Sequence, residues 1–196
     1  MTKPIDRAEM KAQTRKLLQT AQVSPKGMTA LYCACLFLLS LLEALIPGPE
    51  LVSTFLSILT TLAGWILAAG FALYCMDIRR RERSEYAVLF DGFSFTGKII
   101  ALNIVINLFV FLWSMLFVVP GFIAYYRYRF ALYNLCENPD ISVFEAMNMS
   151  KRQTLGYKLQ LFQLDLSYLG WLFISSLPSL VYSGAAYQLT LQQLMA

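Results

Sequence analysis

Apolar residues fall in long blocks along this chain, separated by short polar or proline-marked turns. The blocks predict hydrophobic helices over about 28–46, 51–76, 99–119, 122–136, 158–176 and 178–194. A helix needs roughly 20 apolar residues to cross hydrocarbon, and a run such as Ile99 to Val119 is too long and uniform for the core of a soluble domain of 196 residues. Pro47-Gly48-Pro49 stops the first block, because proline fixes φ and lacks a donor. The second block exceeds the spanning length, which predicts tilt or protrusion. Gly64, Ala68 and Ala72 recur on it at four-residue spacing, a stripe suited to close helix approach within the protein. Pro120-Gly121 breaks or kinks the third block, and Glu137-Asn138-Pro139-Asp140 ends the fourth. Ser142 followed by Glu145 has capping-box spacing, so 142–155 reads as a helix lying in the membrane interface. Residues 1–27 place Ile5, Met10, Leu17 and Leu18 at helical intervals among six basic residues. They read as an amphipathic helix on an anionic leaflet or as a solvated basic arm. The fold expected is all-α: a polytopic membrane helical bundle of about six hydrophobic helices plus amphipathic interfacial helices, with a cytoplasmic segment 1–27 ahead of one transmembrane domain, 28–196.

Composition supports this reading. Apolar residues make up 58% of the chain and charged residues 14%, and the mean hydropathy is +0.55. The first apolar run begins near Met28 after a charged leader with no small-residue cleavage pattern, so the leader is expected to be retained. With six crossings and the amino terminus inside, the inner segments hold fourteen of the sixteen basic residues, all except Arg127 and Arg129. The positive-inside rule then places both termini in the cytoplasm of a bacterial plasma membrane. The arginines at 79, 80, 81 and 83 stand beside Tyr86, Leu89, Phe90, Phe93 and Phe95. They read as topology determinants next to an interfacial segment rather than as a nucleic-acid site. The four cysteines form no CxxC pair and histidine is absent. The cysteines therefore read as packing residues, with no metal site or cofactor expected, and zinc proteases and Ser-His hydrolases are excluded.

Ionisable groups within hydrocarbon are the candidates for function, since each is charged about 2.5–3.5 kcal/mol at the centre of a span even on mild scales. They are Glu43, Arg127, Arg129 and Asp165. Glu43, near the outer end of its helix, is expected to reach headgroups or water. Arg129 and Asp165 each lie seven residues from the inner end of their helices, roughly 10 Å deep at 1.5 Å per residue. That match predicts an intramembrane ion pair. Arg127 lies about a turn deeper, level with Asn107, and Asn103 and Asn107 share a face able to hydrogen-bond it. The cluster reads as helix glue, as the lining of a polar cavity, or as groups snorkelling to the interface.

From the second helix onward the chain resembles the family of uncharacterised bacterial integral membrane proteins gathered under domain of unknown function number 975. The resemblance rests on Leu89-Phe90-Asp91-Gly92-Phe93, Leu112-Trp113-Ser114, Val119-Pro120-Gly121-Phe122-Ile123, Tyr126 and Tyr128, and Glu137-Asn138-Pro139. It continues through Glu145-Ala146 with Ser150, Gly156-Tyr157-Lys158, Phe162, and Leu166 to Trp171. Leu155 and Tyr157 replace the methionine and histidine expected there. The resemblance implies an all-helical, multi-pass bacterial membrane protein and carries no activity or catalytic residue with it. Asp91, Ser150 and Lys158 all fall at the cytoplasmic boundary, where they are expected to form a polar latch between the two inner loops.

With no nucleophile beside a base, the reading of function is a non-enzymatic membrane-embedded accessory, scaffold or regulatory component. The expected partners are membrane lipids of the anionic inner leaflet and a protein partner or second copy, not nucleic acid. The alternative is a small transporter or channel using Arg127, Arg129 and Asp165, and a third reading, ranked below it, is a lipid-modifying membrane enzyme.

Overall fold

A computed structural model of the protein describes residues 7–19, 23–46, 48–80, 85–116 and 118–172. Among them there is no strand. The helices are α1 (Arg7–Gln19), α2 (Pro25–Leu45), α3 (Glu50–Arg80), a 3-10 helix (Tyr86–Phe95), α4 (Thr96–Leu116), α5 (Val118–Arg127), α6 (Ala131–Glu137), α7 (Val143–Gln153) and α8 (Lys158–Leu172). Local chemistry explains several ends. Ser24 caps α2 by accepting from Gly27 N–H at 3.4 Å, with Pro25 at the first position, where a missing donor loses nothing. Ser142 caps α7 by accepting from Glu145 N–H at 3.2 Å, as its spacing predicts. Gly156, in the turn between α7 and α8, has φ of 85°, a conformation that strains other residues.

Helices α2 and α3 form an antiparallel hairpin. Tyr32 lies against Phe71 with ring centroids 5.0 Å apart, Leu36 packs on Gly64, and Glu43 reaches Ser57 and Thr60. The hairpin end of α3 is bare: Leu51, Phe55, Ile58 and Leu59 are exposed. Its arginine end is enclosed, with Ile66, Leu67, Ala69, Ala72, Tyr74, Cys75, Met76 and Ile78 all buried. Leu18 of α1, Met28 and Leu89 cover one side there; Ile99 and Cys136 cover another. A neighbouring cluster joins Leu102 of α4 to Ala131, Leu135, Ala146 and Met147. The buried core therefore sits at one end of the molecule, while the other end shows apolar side chains outward.

Among the described residues three stretches are long and apolar enough to cross a membrane: Pro25–Leu45, Glu50–Arg80 and Tyr86–Met115. Six helices were expected, and the described residues hold three of spanning length. The sixth expected helix, 178–194, and the end of the fifth lie outside the described residues. The third ends at Leu116, and Pro120-Gly121 falls inside the first turn of α5, where proline is tolerated. Chain reversal at this point presses Gly121 on Ser114, whose Oγ would lie 2.1 Å from an added Cβ. The expected fourth helix is two short ones, α5 and α6, with turn residues Tyr128–Phe130 between them. No proline or glycine marks that break. Its cause is a side chain from α7, described below.

Two expected interfacial segments have partners inside the protein. Helix α1 turns Leu17 and Leu18 onto the arginine end of α3, and Val23 packs there beside them; Tyr74 donates from its hydroxyl to Val23 C=O at 3.0 Å. The segment after α3 is a 3-10 helix with three residues per turn, so Leu89, Gly92 and Phe95 fall on one face. Leu89 and Gly92 are buried, whereas Phe90 and Phe93 point outward. The contact is backbone on backbone: a Cβ on Gly70 would lie 1.8 Å from Leu89 O, and one on Gly92 2.5 Å from Ile66 O. Only glycine permits that approach.

Candidate functional site

Asp165 of α8 meets two groups from the α5–α6 region. Arg129 Nη2 lies 3.6 Å from its Oδ1, and Tyr126 donates a hydroxyl hydrogen bond of 2.8 Å to its Oδ2. Arg129 also donates to the Tyr125 hydroxyl, and its guanidinium carbon lies 5.2 Å from the centroid of that ring. The ion pair expected from depth is thus present, inside an aromatic cage that the sequence did not point to. Each charged side chain keeps 26% of its surface, intermediate between a surface pair worth about 0–1 kcal/mol and a dry one whose breakage costs roughly 3–5 kcal/mol.

Ser150, fully buried on α7, explains the helix break. Its hydroxyl accepts from Phe130 N–H at 3.1 Å and donates to Arg127 C=O at 2.8 Å. One side chain thereby satisfies both backbone groups that an interrupted helix leaves orphaned. Thr154 Oγ1 also donates to Arg127 C=O, at 3.4 Å. The latch expected of Asp91, Ser150 and Lys158 does not form, because Ser150 is used at the break and Asp91 lies exposed on the 3-10 helix. Asn103 and Asn107 likewise do not reach Arg127: each donates to the carbonyl four residues back on its own helix, at 2.9 and 2.8 Å.

Sequence reasoning missed four further contacts. Asn134 and Gln153 exchange amide hydrogen bonds of 3.0 and 3.1 Å between α6 and α7. Glu137 accepts from Arg79 at 3.0 Å and Arg80 at 3.4 Å, tying the end of α6 to that of α3. Lys98 donates to Pro139 C=O. Glu43, expected to reach water, instead accepts hydroxyls from Ser57 and Thr60, the latter at 3.2 Å. The i,i+3 spacing of Ser57 and Thr60 on one α3 face was the available signal.

Arg127 closes α5, with its Nε buried and without a hydrogen-bond partner. The pKa of Lys158, first residue of α8, is held below the usual lysine range by burial, then by the charges of Arg127 and Lys151. Between α4 and α5 lies an open groove of about 330 Å³ lined by Val110, Ser114, Gly121, Phe122 and Tyr125. All four cysteines are free.

These features define an all-helical protein with, among the described residues, three stretches able to cross a membrane and a polar network gathered at its basic end. Residues 115–189 match the model of the family described as Protein of unknown function (DUF975), so the chain carries a domain of unknown function 975 that includes Arg127, Arg129, Ser150, Lys158 and Asp165. No curated protein matches the chain, and no solved structure does.

Proposed function

We propose that this chain is a multi-pass integral protein of a bacterial plasma membrane, with both termini cytoplasmic, acting as a non-enzymatic accessory, scaffold or regulatory component. The observation carrying this reading is how its charges are used. Arg129 faces Asp165, and Glu137 faces Arg79 and Arg80, so the pairs tie the α5–α6 turn to α8 and α6 to α3 instead of lining a path. Apolar side chains cover the opposite end, as contact with lipid tails requires. The working surface is then the basic end, which the positive-inside rule directs to the cytoplasm.

The test is purification in a gentle detergent with crosslinking and mass spectrometry, alongside flux measurements in proteoliposomes. A stoichiometric protein partner held at the basic end is expected, with no flux. Ion or solute flux that disappears in Asp165→Asn would overturn the reading in favour of transport.

A further inference from the structure

Three cations converge where α5, α7 and α8 meet, and among the described residues no carboxylate answers them. Ser150 and Thr154 of α7 both bond to the carbonyl of Arg127, which brings Lys151 beside the end of α5. The turn after Thr154 delivers Lys158 to the same place as the first residue of α8. Among the described residues none of Arg127, Lys151 and Lys158 has an ion-pair partner, while Arg127 Nε is buried and unbonded. The nearby acids are committed elsewhere: Asp165 to Arg129 and Tyr126, Glu137 to Arg79 and Arg80. Glu145 stands in the first turn of α7, at the far end of that helix. Like charges held together without a counter-ion among the described residues form a binding site for an anion.

The surroundings identify the anion's carrier. Leu155 and Leu159 flank Lys158 and are each 67% exposed. Phe162 and Leu166 continue the exposed stripe along α8 at helical spacing from Leu159. A phosphate at Lys158 therefore has an apolar track leading away from it. We infer that Arg127, Lys151 and Lys158 bind the phosphate of an anionic phospholipid whose acyl chain lies along Leu159, Phe162 and Leu166. This rests on the membrane reading above and adds to it a specific lipid site.

The full-length protein in neutral detergent is titrated with phosphatidylglycerol or phosphatidylcholine, with retention read by native mass spectrometry. Phosphatidylglycerol is expected to be retained and phosphatidylcholine not. Lys151→Gln with Lys158→Gln should weaken retention on the order of tenfold or more. Lys151→Arg with Lys158→Arg should preserve it, which separates lost charge from lost fold. Arg15→Gln with Lys16→Gln, at exposed positions on α1, removes equal charge and should change retention less than about twofold. Unchanged retention in the Lys151 and Lys158 pair, or an equal loss in the α1 pair, overturns the site. Displacement of phosphatidylglycerol by millimolar inorganic phosphate would overturn the lipid as the source of the anion. Carbonate washing of vesicles separates the two readings: release of the protein defeats membrane embedding, whereas a protein that stays embedded and keeps its lipid in the Lys151 and Lys158 pair defeats this inference alone.

Discussion

Asp165 concentrates more chemistry than any other single residue described. Removing its charge leaves Arg129 without its carboxylate and weakens the bond from Tyr126. Asp165→Asn is expected to cost roughly 1–3 kcal/mol, against less than about 0.5 kcal/mol for exposed Asp140→Asn. Thermal unfolding in detergent checks the difference, and equal effects would remove the pair from the account. Lys158 gives a pH signature. Its folded pKa lies below the ordinary value of 10.5, so the unfolded chain holds this proton more tightly and folding is opposed while both states are protonated. Stability contributed here rises as pH climbs from the folded value towards 10.5. In neutral detergent Lys158→Gln should therefore unfold at a higher temperature than the parent at pH 7, with the gain vanishing near pH 10.5. At this scale the Arg129–Asp165 pair was legible, because depth follows from counting residues along helices. Glu43 was not, since its partners sit on another helix whose rotation only packing sets.

Among the elements, the 3-10 helix depends on two glycines and not on a third. Gly70→Ala and Gly92→Ala drive a methyl group into backbone oxygen, and each should cost more than about 2 kcal/mol. Gly97→Ala meets nothing within 4 Å and should be neutral or stabilise by up to about 1 kcal/mol. Melting temperatures of the three variants decide the matter, and similar values would mean that the segment does not press on α3. Ser150→Ala should cost about 1–3 kcal/mol by stranding Phe130 N–H and leaving Arg127 C=O only the longer bond from Thr154, with faster amide exchange confined to residues 127–131. Helix positions at this scale were largely legible from apolar blocks, caps and prolines. The α5–α6 break was not, because it is imposed by Ser150 from twenty residues further on. The period of three over Tyr86–Phe95 was likewise hidden, since a block of apolar residues reads equally well at either helical period.

For the whole molecule, the division between an enclosed basic end and a bare apolar end is the property that matters. Leu51 is 85% exposed and Met115 72%; in water such a surface drives association. The purified protein is expected to aggregate when surfactant is withdrawn below its micelle concentration, as light scattering would record. Monodispersity without surfactant would contradict membrane embedding. Reporter fusions after Gln19 and at Ser84 should both report the cytoplasm, because basic segments resist export.

What the sequence determined by itself was the class of structure: helix, apolar blocks of spanning length, and charge gathered in a few loops. These follow from residue type and local period, which involve no distant partner. Tertiary structure alone decided how the helices are joined at the basic end, where glycine lets backbone touch backbone, where Ser150 interrupts a helix, and which cations are left together. Each of those depends on residues far apart in the chain meeting at hydrogen-bond distance, and a hydrogen bond or a steric limit is felt only at that range.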